Sequence, residues 1–233
     1  MPIFEHKNHQ HASVAYDLNY HQGRKNSKQL RYRLERRTSE VQEAITNYSI
    51  INPSLILDIG TADGLMPDKL QPKFKNSKFI GIDLSLELLK SNQNIYLDKI
   101  QADAESIPLA DNIVDVIIAT AIIEHVPSPK LFVRECKRIL KPNGIIVIST
   151  PDPFLEFISS KLGLLKETGH QYTFTLDQLN QLIQKNGFTI INEKKFMFSP
   201  VGFPGEKWIE HILRFMHLNV IMANQLIVAS KNE

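Results

Sequence analysis

Between Leu55 and Thr150 the chain alternates five short apolar runs with segments of helical character, and this alternation limits the fold more than any other feature. The runs are Leu55–Ile59, Lys78–Ile82, Lys99–Ala102, Val114–Thr120 and Ile145–Thr150. The fourth is apolar in the way expected of a strand covered on both faces. The third is edge-like. Gly60 to Gly64 forms a turn, and a short helix follows that tolerates Pro67 in its first turn. Ser85 can cap the helix after the second run. Ser128 as N-cap with Pro129 at the first helical position opens a helix to Leu140, and Asn143-Gly144 turns the chain into the fifth run. Strand and helix alternating on this scale predict a parallel sheet with helices on both faces.

The flanks are less regular. Residues 1–23 are polar and His-rich, an arm or loosely ordered lid in which Tyr16 and Tyr20 are either aromatic covers for a ligand or exposed tail residues. Apolar residues recur at helical spacing from Gln29 to Tyr48, giving an amphipathic helix with its basic residues outward, ended by Asn52-Pro53. The chain therefore divides into an arm and lid helix, 1–53, and a main domain, 54–233. Phe154–Leu165 reads as an irregular helix. Thr175 and Gln178 form a capping box for a helix through Asn186, closed by Gly187. Phe188–Phe196 is a sixth strand, and Leu218–Ser230 carries a seventh, antiparallel and near the sheet edge.

A chain of 233 residues fits one compact unit with a substantial core. Cys136 is its only cysteine, so no intrachain disulfide can form, in keeping with a reducing, cytoplasmic setting. No apolar run reaches the length of a transmembrane helix. A net charge of +2 argues against a protein built to bind a nucleic-acid backbone. Charge is nevertheless concentrated: seven Lys or Arg residues and one acid, Glu35, lie between Arg24 and Arg37. That segment is either a solvated helix face or a contact for an anionic substrate, lipid headgroup or partner.

Three acids stand at successive strand ends: Asp58 in ILDIGTADG, Asp83 in IGIDLS and Asp103 in QADAESIPL. In an open parallel sheet, ligands bind outside the carboxyl ends of the strands, where strand order switches. A glycine-bearing loop after the first strand lets backbone approach a ligand closely. An acid at the tip of the second strand can accept hydrogen bonds from both hydroxyls of a ribose. A nicotinamide-dinucleotide enzyme would carry Gly-x-Gly-x-x-Gly and a pyrophosphate cradle. Here the spacing is Gly60-x-x-x-Gly64 and no phosphate cradle is present.

These runs, together with ATAIIEHVPSP and RILKPNGIIVISTP, resemble the class I S-adenosylmethionine-dependent methyltransferases over about residues 54–196, most of all the branch acting on quinone precursors, sterols, sugars and similar small molecules. The resemblance implies an α/β, Rossmann-like three-layer sandwich with a seven-stranded, mostly parallel sheet and an antiparallel last strand. It implies S-adenosyl-L-methionine as cofactor. Asp58, Gly60, Thr61, Ala62 and Gly64 would form the methionine loop, with Asp58 or backbone holding the amino group. Asp83 and Leu84 would meet the ribose, Asp103 and Ala104 the adenine, and Ala119 and Thr120 the methionine side. Ala62 replaces the family's usual glycine, and Asp63 adds a carboxylate that must point away from the cofactor's own. No metal-ligand set is assigned.

Methyl transfer from a sulfonium needs alignment, exclusion of water and, for a hydroxyl acceptor, removal of a proton. His125 and His170 are the candidate bases; packed-helix-start and surface-loop roles are their alternatives. The acceptor site falls to the least family-like segments, 1–30, 151–174 and 198–217. In the last, the helical spacing of Trp208, Ile212 and Phe215 favours core packing over a lipid cradle. An apolar lid beside a basic helix suits a small-molecule acceptor that is hydrophobic or anionic, and is compatible with peripheral membrane contact. Nucleic-acid or protein methylation and a non-catalytic, cofactor-binding regulatory role remain as alternatives. No Pro-Pro-aromatic tetrapeptide of the base-amine enzymes follows the fourth strand, where Thr120-Ala121-Ile122-Ile123 stands instead.

Overall fold

The computed structural model describes residues 26–49, 52–155, 157, 170–199, 202–216, 218 and 221–232. The expected arm, with Tyr16 and Tyr20, and most of the Phe154–Leu165 helix lie outside these residues. In chain order the elements are α1 (Lys28–Tyr48), β1 (Leu55–Ile59), α2 (Leu65–Leu70), β2 (Lys78–Asp83), α3 (Leu86–Ser91), β3 (Leu97–Gln101) and β4 (Val114–Thr120). There follow α4 (Pro129–Ile139), β5 (Leu140–Pro151), α5 (Leu176–Lys185), β6 (Phe188–Phe196), α6 (Glu206–Phe215) and β7 (Asn224–Lys231).

The strands form one seven-stranded sheet in the order β3-β2-β1-β4-β5-β7-β6. Its first five strands are parallel, and β7 pairs antiparallel with both β5 and β6. The last strand thus sits one place in from the edge, and β6 takes the edge itself. Pairing outward from β1 to β2 on one side and β4 on the other puts the switch of strand order between β1 and β4. The crevice that such a switch opens at the strand carboxyl ends is where a ligand belongs.

Strand residues alternate between two apolar layers, as a period of two requires. Ile117 and Ala119 of β4 join Phe132, Val133, Cys136 and Ile139 of α4 with Leu179 and Ile183 of α5 on one face. Val116 and Ile118 join Leu34, Val41, Ala44 and Ile45 of α1 and Leu70 of α2 on the other. The capping signals act as read: Ser27, Ser85 and Ser128 each accept an amide at their helix starts, and Thr175 with Gln178 completes both halves of a capping box. At the amino ends, Asp115 accepts the Ser54 and Leu55 amides and ties β1 to β4. β5 begins five residues before the predicted run; Asn143 takes a left-handed φ of 62°, and the β4–β5 register shifts between Val114 and Val116.

Two helices depart from their amphipathic reading. The basic residues of α1 do not all face outward: Arg36 is 5% exposed, bonded to Glu40 at 2.6 Å and to Glu210 of α6 at 2.7 Å. α6 is inverted. Its acids Glu206 and Glu210 are buried, whereas Trp208 and Phe215, expected in the core, are 70% and 85% exposed. The cause is electrostatic. Glu210 accepts from Arg36, Arg214 and the Phe198 amide, and Glu206 accepts from the Tyr32 hydroxyl and the Ser199 amide. A helix that must bury these two acids one turn apart turns its opposite face to solvent.

Candidate functional site

The loop after β1 is tied to the tip of β2, where the Gly60 and Thr61 amides both donate to the Ile82 carbonyl at 2.8 and 3.0 Å. Asp83 continues this seam. Its Oδ2 accepts the Ala62 amide at 2.8 Å, and its Oδ1 accepts the Ser85 amide at 2.9 Å. With both oxygens oriented by backbone, the carboxylate keeps lone pairs for a further donor. Asp103, at the end of the third crossing, accepts the Glu105 amide at 2.9 Å, which turns the chain sharply there.

These tips surround a cavity of about 330 Å³, within the usual range for small-ligand sites. Its lining includes Asp58, Gly60, Thr61, Ala62, Asp83, Leu84, Asp103, Ala104, Thr120 and His125. Two of the residues predicted to bind the cofactor stand apart from it. Ala119 is fully buried in the core, because the alternation of β4 aims it between the layers. Gly64 packs elsewhere: at φ 70°, an added Cβ would come 2.4 Å from the Asn92 side chain. Its glycine answers to backbone and packing rather than to ligand approach. Gly60, at φ 74°, also faces protein, with Ile122 of the turn after β4 at 3.1 Å from an added Cβ. Asp63 is buried outside the lining, its carbonyl accepting from Asn92, so its carboxylate does not enter the cavity. Ala62 and Ala121, both in the lining, hold left-handed φ values of 51° and 53°. Such backbone strain in an alanine persists only where surrounding bonds impose it, and for Ala62 Asp83 is that constraint.

Sequence reasoning offered the basic segment between Arg24 and Arg37 as one alternative contact for an anionic substrate and placed residues 1–30 at the acceptor site, without singling out cavity residues on α1. Leu30, Arg33, Leu34 and Arg37 also line the cavity and bring two guanidinium groups to it. Nothing in local spacing distinguishes them from the solvated cations of the same helix. Among the described residues, the buried Thr61 hydroxyl and Arg37 Nε make no hydrogen bond within the protein. The cavity therefore combines strand-tip carboxylates, which accept hydrogen bonds, with arginine side chains, which donate them, a set that fits a ligand with amino, carboxylate and ribose groups.

The turn after β4 brings the two histidines together. The Glu124 carbonyl accepts the amides of Gln171 and Tyr172, and the Tyr172 hydroxyl donates to the Pro127 carbonyl at 2.8 Å. The His125 and His170 rings meet edge to face, with centroids 4.8 Å apart. His125 lines the cavity; His170 is not in the lining, although its neighbour Gln171 is. Glu124 is 1% exposed, and burial pushes its carboxyl above the usual range, against its own amide and the charges of His170 and Arg37. One ligand atom from each of Glu124, His125 and His170 lies within 4.8 Å of the others. Such a group has the composition to hold a divalent cation, although the sequence assigned none.

The sheet order, with a cavity at the switch point and acids at the carboxyl ends of β1, β2 and β3, is that of a Rossmann-like domain. The chain belongs to the methyltransferase-domain family, whose model matches residues 28–193, and the cofactor of that class is S-adenosyl-L-methionine. The chain is 28% identical over 112 residues to malonyl-(acyl-carrier protein) O-methyltransferase 1 of Coxiella burnetii, which covers 47% of this chain and 39% of that protein. It is 26% identical over 163 residues to a ubiquinone biosynthesis O-methyltransferase of Cereibacter sphaeroides, covering 64% and 65%. The chain thus matches less than two thirds of the length of these relatives. The protein solved in complex with the Haloferax volcanii Trm112 methyltransferase activator superposes with a TM-score of 0.68, covering 91% of this chain and 97% of that one, at 14% identity; it shares the fold. Among the described residues, no helix is long and apolar enough to cross a membrane.

Proposed function

We propose that the protein transfers a methyl group from S-adenosyl-L-methionine to an oxygen atom of a small-molecule acceptor. The observation that carries this reading is the cavity itself, where Asp58, Asp83 and Asp103 share one lining with Arg33, Arg37 and His125. Family membership and the O-methyltransferase names of the relatives support the reaction type. When bound, the cofactor supplies an activated methyl group on a sulfonium, a leaving group that needs no acid catalysis.

The chain's own residues then bind, orient and accept a proton. Asp83 takes the ribose hydroxyls on the lone pairs its backbone contacts leave open, and Asp103 with the Ala104 amide meets the adenine edge. Asp58, Thr61 and Thr120 border the amino-acid end, whose carboxylate suits Arg33 or Arg37. A hydroxyl acceptor placed against Ala121 and Ile122 is within reach of His125, which takes its proton as the oxygen–methyl bond forms; His170 packs edge to face on that ring. The same guanidinium groups favour an anionic acceptor, and Leu30, Leu34 and Ile122 in the lining suit one that is partly hydrophobic. The test is a screen of phenolic, carboxylic and amine acceptors for release of adenosylhomocysteine. Turnover with oxygen acceptors supports the proposal, and turnover confined to amines contradicts it.

A further inference from the structure

α6 carries two acids, one lysine, one arginine and one histidine, yet it shows solvent no carboxylate. Both acids are consumed inward: Glu206 by Tyr32 and Ser199, and Glu210 by Arg36, Arg214 and Phe198. What the helix presents is Trp208 and Phe215 at the centre of its outer face, with His211 beside them and Lys207 on the flank. At 100° per residue, Trp208, His211, Ile212 and Phe215 fall on one side of the helix, opposite Glu206 and Glu210. Large apolar groups continue past both ends, with Phe203 and Met216 exposed. At the start of α1, Lys28 and Arg31 are exposed one turn or less from Tyr32, the residue that bonds Glu206.

Two large aromatic side chains held in water on one helix face are costly, and a protein seldom shows such a face without a use. Its charge selects the occupant. Aromatic centre, cationic flank and inward-turned acids form the pattern of a helix that lies in the plane of an anionic lipid surface, with long cations reaching the headgroups. We infer that the outer face of α6 docks the protein on anionic membrane lipid, inserting Trp208 and Phe215 while Lys207, Lys28 and Arg31 contact the headgroups. The inference stands apart from the methyl-transfer reading, since neither Trp208 nor Phe215 lines the cavity.

Trp208 is the only tryptophan, so it reports its own environment. The full chain is mixed at low salt with phosphatidylglycerol-containing vesicles and with pure phosphatidylcholine vesicles. Emission should shift to the blue and be quenched by brominated acyl chains with the anionic vesicles, and much less so with the neutral ones. Phe215→Ser keeps the reporter and should weaken partitioning roughly tenfold, the loss expected for one large apolar side chain. Lys207→Glu should weaken it several-fold, and added salt should reduce the difference between the lipids. Flotation confirms binding independently of fluorescence, and unchanged melting and cofactor titration of both variants show that they fold. The inference is overturned by three results: no shift with anionic vesicles, variants that partition as the parent does, or a blue shift that grows with protein concentration in lipid-free buffer. The last would assign the face to a second copy of the chain.

Discussion

Removing the Glu210 carboxylate should cost more stability than removing any exposed acid, because it is the junction that holds α6 to α1. Glu210 is 2% exposed and accepts from Arg36 at 2.7 Å, from Arg214 at 3.2 Å and from the Phe198 amide at 3.0 Å. Breaking a buried pair by deleting one partner typically costs ~3–5 kcal/mol, because the other charge is left uncompensated. Arg36 keeps Glu40 at 2.6 Å, which places Glu210→Ala near the lower end, about 3 kcal/mol. For a domain of this size that lowers Tm by roughly 6–12 °C. Glu43→Ala is the control: Glu43 is exposed, meets Lys194 at 3.2 Å, and its loss should stay within about 0.5 kcal/mol. Urea denaturation followed by circular dichroism reads both variants. A Glu210→Ala cost below about 1 kcal/mol, no larger than the control, would refute the claim that a buried ionic junction inverts α6.

Three further outcomes follow from individual residues. Ala62→Gly should raise Tm by about 1–3 °C, because glycine holds the left-handed φ of 51° without the strain alanine bears there; a lower Tm would show that the loop is not strained. Burial pushes the Cys136 thiol far above its usual range, so a thiol reagent should leave the folded protein unmodified and label one site per chain on unfolding. Glu40 is held below its usual value: burial alone would raise it, but Lys194 and then Arg36 outweigh burial. A carboxyl depressed in the folded state stabilises fully above its unfolded value of 4.5 and progressively less as pH falls below it. The stability gap between the parent and Glu40→Gln should therefore close on acidification, measured by melting across a pH series.

The parallel half of the sheet was legible because each strand is a short apolar run between turn signals. β1, β4 and β6 begin and end where their sequence patterns do. The strand-tip acids were legible for the same reason, since their places follow from strand ends. What sequence hid was tertiary. Arg36 and Arg37 are adjacent and chemically identical; one is clamped by two buried acids and the other faces the cavity, a difference set by α6 and β7 far along the chain. Trp208 and Phe215 read as core by hydrophobicity, until the neighbours of Glu206 and Glu210 fix which face turns inward. The β7 position between β5 and β6 likewise depends on a long return that carries no local signal. At Gly64 the residue was read correctly as special but for a different reason, its contact with Asn92.

The central claim is that the switch-point cavity holds S-adenosyl-L-methionine through its strand-tip carboxylates, and calorimetric titration of the full chain tests it most directly. The parent should bind one equivalent. Asp83→Ala removes two charge-assisted hydrogen bonds to ribose, each contributing ~1.5–3 kcal/mol, so its affinity should fall about a hundredfold or more while its ligand-free melting stays cooperative. Absence of binding by the folded parent, or an Asp83→Ala protein that binds as tightly, would contradict the account.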